Sequence, residues 1–564
     1  MFKELIPIEE AQRIIVSNLS QIKETEEIFV DNSLGRILAE DVYSEIDVPS
    51  FDRATMDGYA IRSNDLQGVW ENRPAKLRKI GYIKTGEFPK IIVKDGEAAK
   101  IDTGAVIPKG ADAVVPIEYV EEYDDYILVK RSVPKWANIQ WTGADISKEQ
   151  LVFSRGTIIT PRHIATLISI GRKKIRVYRK AKVAIFSIGD ELVDSIEKMD
   201  LGKIIDVNSH SLMALVKEFG FEPIFLGIAR DDLSDILAKL KIGLEISDIV
   251  ISTGSSSVGY TDMIRRAVEK LGGKILFHGV KSKPGKPVLF AKIGEKGYLG
   301  LPGHPTSAIV SFFLYAIQAI YRVAGALGKI LSMRTLKFKL GRRVYGVKGR
   351  TLVQTVSLHP EKDIANPIPA ISGSTTTLSL ADAYFLLPEE YEYLDEGEEI
   401  ALSPLWKIVQ LPDLTIVGEF SPMLLRMIRE KNKNSLIRYI KMPSSGALRM
   451  LEKGYADVAI IKDEEGEFER RLVYVGKDNA SIVYSKYEIS GINIERVGTD
   501  QSAVFKLKSR IAEAIIIPEE IARLYGLLWK KVVRIERLKI IEKVKSSRHQ
   551  APWEMTKEPQ LFPF

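Results

Sequence analysis

Apolar and polar positions divide the chain into stretches of different period. Ala11, Ile14, Ile15, Leu19 and Ile22 recur at helical spacing, so a helix is expected from Ile8 to about Ala39, ending near the turn residues Asn32 and Gly35. From about Val48 to Val133 the pattern shifts to short β runs at Leu77–Lys84, Glu97–Asp102 and Asp112–Glu118. Glycines punctuate them, which predicts a β-rich insert. Pro161 and Gly171 bracket a second helix over Pro161–Ile170.

The clearest rhythm follows. Strands are expected at Lys182–Ile188, Phe221–Ile228, Asp248–Ser252 and Lys274–Val280. They alternate with helices at Asn208–Phe219 (capped by Asn208), Leu233–Ile242, Thr261–Leu271 and Pro305–Ala324. That alternation predicts a parallel, doubly wound sheet. After about Ser332 the chain turns β again, with Leu336–Leu340, Arg350–Val356 and Ala383–Leu387 fitting a small barrel or sandwich that ends near Pro404. Thr415–Gly418, Ser421–Glu430, Leu436–Met442, Ser444–Lys453 and Asp457–Lys462 then read strand, helix, strand, helix, strand, a separate α/β domain. The fold class is therefore multidomain α/β. The expected units are residues 1–47 with 134–178, a β-rich 48–133, a doubly wound 179–330, a β-barrel 331–406, an α/β 407–546 and a tail 547–564.

Composition narrows the chemistry. The 564 residues contain no cysteine, which excludes disulfides, thiolate metal sites and a cysteine nucleophile. Six histidines, none spaced His-x-x-x-His, leave no histidine zinc motif. Abundant Lys, Glu and Arg without Cys fit a protein from a hot environment. The net charge of +7 is a small excess among 81 basic and 74 acidic residues and gives no reason to expect nucleic acid. The basic run Lys530 to Arg548, interleaved with Val, Ile and Leu, reads as an edge strand and a solvated tail. The apolar stretch Thr306–Tyr321 is shorter than a bilayer needs and reads as a buried helix. With no signal peptide visible, a cytoplasmic protein away from membranes is expected.

Unusual loop chemistry follows the strands of the doubly wound unit. Gly189-Asp190-Glu191-Leu192, Arg230-Asp231-Asp232, Thr253-Gly254-Ser255-Ser256-Ser257-Val258-Gly259, Lys283-Pro284-Gly285-Lys286 and Leu301-Pro302-Gly303-His304-Pro305 all fall where open α/β sheets bind ligands. Small residues before a helix let backbone N–H groups approach an anion, although a tight turn alone also uses glycine. Lys283 and Lys286 can meet phosphate oxygens. Glu191, Asp231 and Asp262 would repel a phosphate unless a hard cation lay between, and Mg²⁺ is the simplest. Helix caps for Asp231 and Asp262 and a surface turn for Glu191 are the structural alternatives.

Six segments in order resemble one family, the molybdopterin molybdenumtransferases (MoeA-type enzymes, related to the C-terminal part of gephyrin). They are Met56-Asp57-Gly58-Tyr59-Ala60, Thr103-Gly104-Ala105 through Pro108-Lys109-Gly110-Ala111-Asp112-Ala113-Val114, Gly189-Asp190-Glu191-Leu192, the loop ending Ser257-Val258-Gly259-Tyr260-Thr261-Asp262, Lys283-Pro284-Gly285-Lys286-Pro287 and Leu301-Pro302-Gly303-His304-Pro305. The resemblance covers roughly residues 5–405. It implies an elongated homodimer with the active site at the subunit boundary, and insertion of molybdate (or tungstate) into adenylylated molybdopterin with Mg²⁺ and release of AMP. By motif match it implies catalytic roles for Asp57, Glu191, Asp231, Asp262 and Lys283; the loop chemistry adds Lys286 and gives Glu191, Asp231 and Asp262 the metal. Substrate binding would fall to Thr103, Asp145, Gly254, Ser256, Ser257, Gly259, Gly285 and Gly303, with Ser372 in the place of a serine-containing loop. Gln140, Ser255 and His304 depart from the family pattern.

Beyond about residue 411 the segments Gly418-Glu419-Phe420-Ser421-Pro422 and Pro443-Ser444-Ser445-Gly446 resemble the periplasmic-binding-protein-like domain fused to some relatives. Serines at both helix starts offer an anion or pterin cradle. Two alternatives to the transferase remain: a molybdopterin adenylyltransferase, which shares the doubly wound domain type, and a non-enzymatic oxyanion- or cofactor-sensing protein. The intact acids and lysines favour the enzyme.

Overall fold

The computed structural model describes residues 5–254, 258–327, 336–359, 363–368, 374–407, 409–419, 421–462, 468–476, 483–485, 494–497, 500–508, 512, 514–525, 527–529 and 531–542. The tail expected at 547–564 lies outside these, as do Ser256, Ser257 and Ser372.

The opening helix is shorter than the apolar period predicts, Ile8–Asn18. Leu19 and Ile22 are buried, but Thr25–Phe29 is a strand paired antiparallel with Lys174–Tyr178. A pairing across about 150 residues leaves no local signature, so periodicity alone extends the helix too far. The β-rich insert is a six-stranded sheet in the order Ala113–Pro116, Gly58–Ile61, Glu97–Ile101, Ala75–Ile83, Tyr126–Val129, Val120–Glu122. Gly58 is required there, because a Cβ would stand 1.9 Å from the Val115 carbonyl oxygen of the adjacent strand.

The central unit is a six-stranded sheet in the order Glu222–Ala229, Lys182–Ile188, Ile249–Thr253, Lys296–Leu301, Leu289–Ile293, Lys274–His278. The first four strands run parallel; the last two are antiparallel to their neighbours. The wholly parallel sheet expected from the sequence is therefore mixed at one edge. Ile293 pairs with Lys296 across Gly294-Glu295, and a two-residue loop can join only antiparallel strands. Val183, Ile185, Ile249, Ile251, Leu299 and Leu301 face one apolar core with the helices Ile8–Asn18 and Pro305–Ser311, while Ala184, Phe186 and Val250 face another. Covering both faces explains the near-continuous apolar runs of these strands.

The closing helix spans Pro305–Val323, with a π-helical turn at Phe312–Ala316 between two α segments. It is long and apolar enough to cross a membrane by composition, and 78% of its apolar window is buried inside the protein. It is a core helix here.

Leu336–Leu340, Thr351–His359, Ile364–Pro367, Ala383–Leu387 and Glu399–Pro404 close into a five-stranded barrel, since Thr351–His359 pairs with both Ile364–Pro367 and Ala383–Leu387. The same strand also pairs with Ser282–Lys283, tying the barrel to the central unit. The C-terminal unit is one eight-stranded sheet that starts from the parallel trio Ile437–Lys441, Leu414–Gly418, Val458–Lys462. Lys531–Glu542, expected as an edge strand, lies inside that sheet between Val458–Lys462 and Phe468–Gly476. Charge density cannot distinguish edge from centre, because long-range pairing decides it. A bidentate Arg438–Asp382 ion pair, nearly buried on both sides, docks this unit on the barrel.

Candidate functional site

In the central sheet the chain moves from Lys182–Ile188 outward to Glu222–Ala229, then crosses back to Ile249–Thr253 on the other side. Strand order reverses there, and ligands of open α/β sheets bind in the crevice beyond the carboxyl ends at such a point. Gly254 has φ +108°, and a Cβ on it would stand 2.1 Å from the Ile188 carbonyl oxygen. A Cβ on Gly303 would stand 3.2 Å from the Gly254 Cα. The loops after three strands thus converge on glycine backbones, where a Cβ at Gly254 would clash outright and one at Gly303 would need the facing backbone to give. Gly259 lies in the helix Val258–Lys270 that follows.

One side of the crevice is acidic. Asp190 N donates to Asp231 Oδ2 and Asp231 N donates to Asp190 Oδ1, each at 3.2 Å. This reciprocal bracket holds two carboxylates together. The Glu191 side chain lies back over Gly189, with Oε2 2.5 Å from where a Cβ of Gly189 would be. Lys203 Nζ donates to Asp190 O at 2.5 Å and Ile204 N to Glu191 O at 2.8 Å, so the Leu192–Ile205 segment fixes the loop from outside. Asp231 does not cap the next helix. Asp232 does, accepting from Ser234 N and Asp235 N. Asp262 is exposed and sits one turn inside Val258–Lys270, so it is no cap either.

Among the described residues no three His, Asp or Glu side chains gather closely enough to hold a metal ion. Glu191, Asp231 and Asp262 are thus not drawn together as a ready-made three-carboxylate set here, and Asp262 lies on the helix Val258–Lys270. The pair that the fold assembles is Asp190 with Asp231. It fits Mg²⁺, which binds through one or two carboxylates and completes its shell with phosphates and water.

The basic residues lie on the loop that reaches from the central unit to the barrel. Lys283 is exposed on the short strand against the barrel, and Lys286 O accepts from Val280 N at 2.9 Å. Gly285 between them has φ +101°. Thr306, at the start of the closing helix, donates from Oγ1 to Ser374 O at 3.4 Å, which brings the barrel loop next to the crevice.

Asn208 is a residue the sequence misassigns. It does not cap its helix; Asp206 Oδ1 accepts from Asn208 N and Ser209 N, and Asp206 Oδ2 from Ser209 Oγ. The freed Asn208 Nδ2 donates to Gly303 O at 2.7 Å and holds the glycine loop in place. With two cap candidates two residues apart, only the fold selects one. Asp190 was visible inside the Gly-Asp-Glu-Leu segment, but nothing local marks it as the partner of Asp231, 41 residues away.

A second cluster occupies the β-rich insert. Asp57 Oδ1 accepts from Thr103 N at 2.7 Å and Thr103 Oγ1 at 2.9 Å, and these bonds hold its carboxyl below the usual range. Asp52 Oδ1 repeats the device with Thr142 N and Oγ1, both at 2.8 Å. Asp145 is exposed two residues past Gly143, its amide donating to Val48 O. Of the Met-Asp-Gly-Tyr-Ala segment, Gly58, Tyr59 and Ala60 are buried, leaving Met56 and Asp57 exposed. Exposed Phe51 and Met56 adjoin Asp52 and Asp57 in the chain, and exposed Trp136 packs against Trp141, next to Thr142.

In the C-terminal unit the two cradle serines are committed internally. Ser421 Oγ accepts from Leu424 N and donates to Glu520 Oε2, and Ser444 Oγ accepts from Lys462 N.

Comparison with known proteins gives a consistent result over the first 405 residues. Residues 6–171 match the MoeA N-terminal region (domain I and II), 184–322 the family "Probable molybdopterin binding domain", and 337–405 the MoeA C-terminal region (domain IV). A molybdopterin molybdenumtransferase of Nostoc sp. is 31% identical over 405 residues, 71% of this chain and 91% of that protein. One from Staphylococcus aureus is 34% identical over 322 residues, 57% of this chain and 77% of that one. The crystal structure of the molybdopterin biosynthesis MoeA protein of Pyrococcus horikoshii superposes with a TM-score of 0.62 at 33% identity, covering 71% of this chain and all of that one.

Proposed function

The chain belongs to the molybdopterin molybdenumtransferase family and acts in molybdenum cofactor biosynthesis; from that premise we propose how its crevice does so. The observation that carries the reading is the strand-order crevice at Gly254 and Gly303, walled by the Asp190–Asp231 bracket on one side and neighboured by the Lys283–Lys286 loop. The substrate is adenylylated molybdopterin, and molybdate or tungstate is the second substrate. Glycine backbones let the phosphoanhydride approach the amides, and the N-terminus of Val258–Lys270 adds a favourable potential. Ser256 and Ser257 contribute hydroxyls to the same end.

Lys283 and Lys286 neutralise charge that develops as the anhydride is cleaved and AMP leaves. Asp190 and Asp231, with Glu191 beside them, would hold Mg²⁺, and Asp262 would face it only once the bound substrate draws its helix in. When bound, that ion screens the carboxylates from the phosphates and polarises the anhydride. Without cysteine in the chain, the dithiolene sulfurs that receive the metal come from the substrate.

Asp57, Thr103 and Asp145 belong to a different unit, and we assign them to the crevice of a second subunit in a homodimer. Their exposure and the apolar Phe51 and Met56 beside Asp57 support this. Ser374, which Thr306 contacts, closes the site from the barrel, and Ser372 is assigned to the same group by its motif alone. The reaction needs neither membrane nor nucleic acid and is placed in the cytoplasm. The test is turnover of adenylylated molybdopterin with molybdate, with and without Mg²⁺. AMP release that requires both supports the reading. Release at the same rate from Asp231→Asn would sink the assignment of the acidic wall.

A further inference from the structure

Directly beneath the Lys283–Lys286 loop lie three hydroxyl groups whose hydrogen-bonding capacity the described residues leave largely unspent. Ser282, Ser311 and Tyr315 each have 0% exposure. Among the described residues neither serine Oγ nor the Tyr315 hydroxyl makes a hydrogen bond of good geometry. They cluster in space. A Cβ at Gly285 would stand 3.0 Å from Ser282 Oγ and 3.2 Å from Ser311 Oγ, so the loop's glycine rests on both. Burial raises the pKa of Tyr315, whereas a loose hydrogen-bonding contact with the Ser282 hydroxyl lowers it, so those two groups face each other.

The arrangement is costly and built. Ser311 ends the first α segment of the closing helix and Tyr315 lies in the π-helical turn that follows. Such turns are rare and concentrate at functional sites. Gln12 Nε2 donates to Leu314 O at 2.9 Å and so supplies a side-chain partner to the turn. Each buried hydroxyl left without a partner costs stability, typically about 1–3 kcal/mol, and alanine or phenylalanine would fill the same space without that cost. Three together under a loop that carries two lysines are not explained by packing.

We propose that Ser282, Ser311 and Tyr315 are positioning residues. They form a hydroxyl floor that sets the height and orientation of the Lys283–Lys286 loop for an oxyanion, the molybdate or the phosphoanhydride. Their unspent hydrogen-bonding capacity serves the loop backbone when the anion draws the two ammonium groups inward. This rests on the proposed transferase reading.

The experiment uses the full chain with Tyr315→Phe, Ser311→Ala and the rescue variant Ser311→Thr. KM is measured separately for molybdate and for adenylylated molybdopterin, alongside kcat and Tm. The expected result is a KM raised about five-fold for one substrate, the worth of one hydrogen bond, with kcat unchanged, Tm equal to or above the parent, and recovery in Ser311→Thr. The substrate whose KM moves identifies the anion that the loop holds. Unchanged KM for both substrates in both variants overturns the proposal, and so does a large fall in Tm, which would make the hydroxyls structural. Failure of the transferase reading is distinguishable, since the parent chain itself would then release no AMP.

Discussion

The central unit and the C-terminal unit use the same backbone device to different ends. In each, a central parallel strand ends on a glycine of positive φ that abuts the carbonyl of the next strand. Gly254 has φ +108° and a Cβ position 2.1 Å from Ile188 O; Gly418 has φ +124° and a Cβ position 2.1 Å from Ile460 O. A helix follows each. The crevices differ in what surrounds them. At Gly254 the side chains of Asp190, Asp231 and Glu191 collect next to the glycine loops, and the lysine loop rests on Ser311 of the helix that follows Gly303. At Gly418 the polar groups are used up by the protein: Ser421 by Leu424 and Glu520, and the Gly418 carbonyl by the Tyr439 hydroxyl at 3.0 Å. A glycine crevice is therefore a permission for binding; the charged side chains gathered around it make the candidate site.

Gly254→Val and Gly418→Val test this most severely. Each puts a branched side chain against a backbone carbonyl at positive φ, and a loss of about 4 kcal/mol or more is expected at both. Gly254→Val should abolish AMP release, whereas Gly418→Val should loosen the C-terminal unit, read by limited proteolysis, and spare turnover. Equal loss of activity in both would erase the distinction.

Arg438→Ala comes next. It leaves Asp382, 4% exposed, without its cation, and removing one partner of a buried pair costs about 3–5 kcal/mol. Asp382 also accepts from Leu358 N inside the barrel, so melting of the barrel and release of the C-terminal unit should move together. Small-angle scattering that shows no undocking would contradict this.

A smaller effect separates the two sets of polar residues. Asp231→Asn should lower kcat/KM about 10²-fold, in the range of a lost electrostatic contact in a preorganised site, while Ser421→Ala leaves turnover at the parent level. The weakest expected change concerns Asp57. Its folded-state pKa is depressed by Thr103, so the stability it contributes is present above the unfolded carboxyl value of about 4 and is lost as pH falls through the lower folded value. Thr103→Val removes the hydroxyl donor but keeps the amide. The Asp57 pKa, followed by NMR, should then rise part of the way toward 4; a constant value would show the hydroxyl to be idle.

Much of this architecture can be read from the residues. Glycine spacing, the Lys-Pro-Gly-Lys loop and alternating strands and helices place the binding crevice on the central sheet, because each is a local pattern with a local physical cause. The misreadings share the opposite character. The helix expected beyond Asn18 gives way to a strand whose partner lies at Lys174–Tyr178. Asn208 yields the cap to Asp206 and turns to Gly303, 95 residues on. Lys531–Glu542 becomes an interior strand because two strands pair with it.

The amino-acid sequence by itself determined which chemistry the chain can offer: acids, lysines, hydroxyls and glycine backbones, with no thiol. It also determined the order of those groups and the strand ends at which they occur, since strand and helix periods are written in neighbouring residues. Tertiary structure alone decided which of them meet. It bracketed Asp190 with Asp231 and left Asp262 on its helix, set Ser282 under Gly285 beside Ser311 and Tyr315, and spent Ser421 on Glu520. The reason is that a side-chain contact depends on how distant strands order themselves in a sheet, and no local period encodes that order.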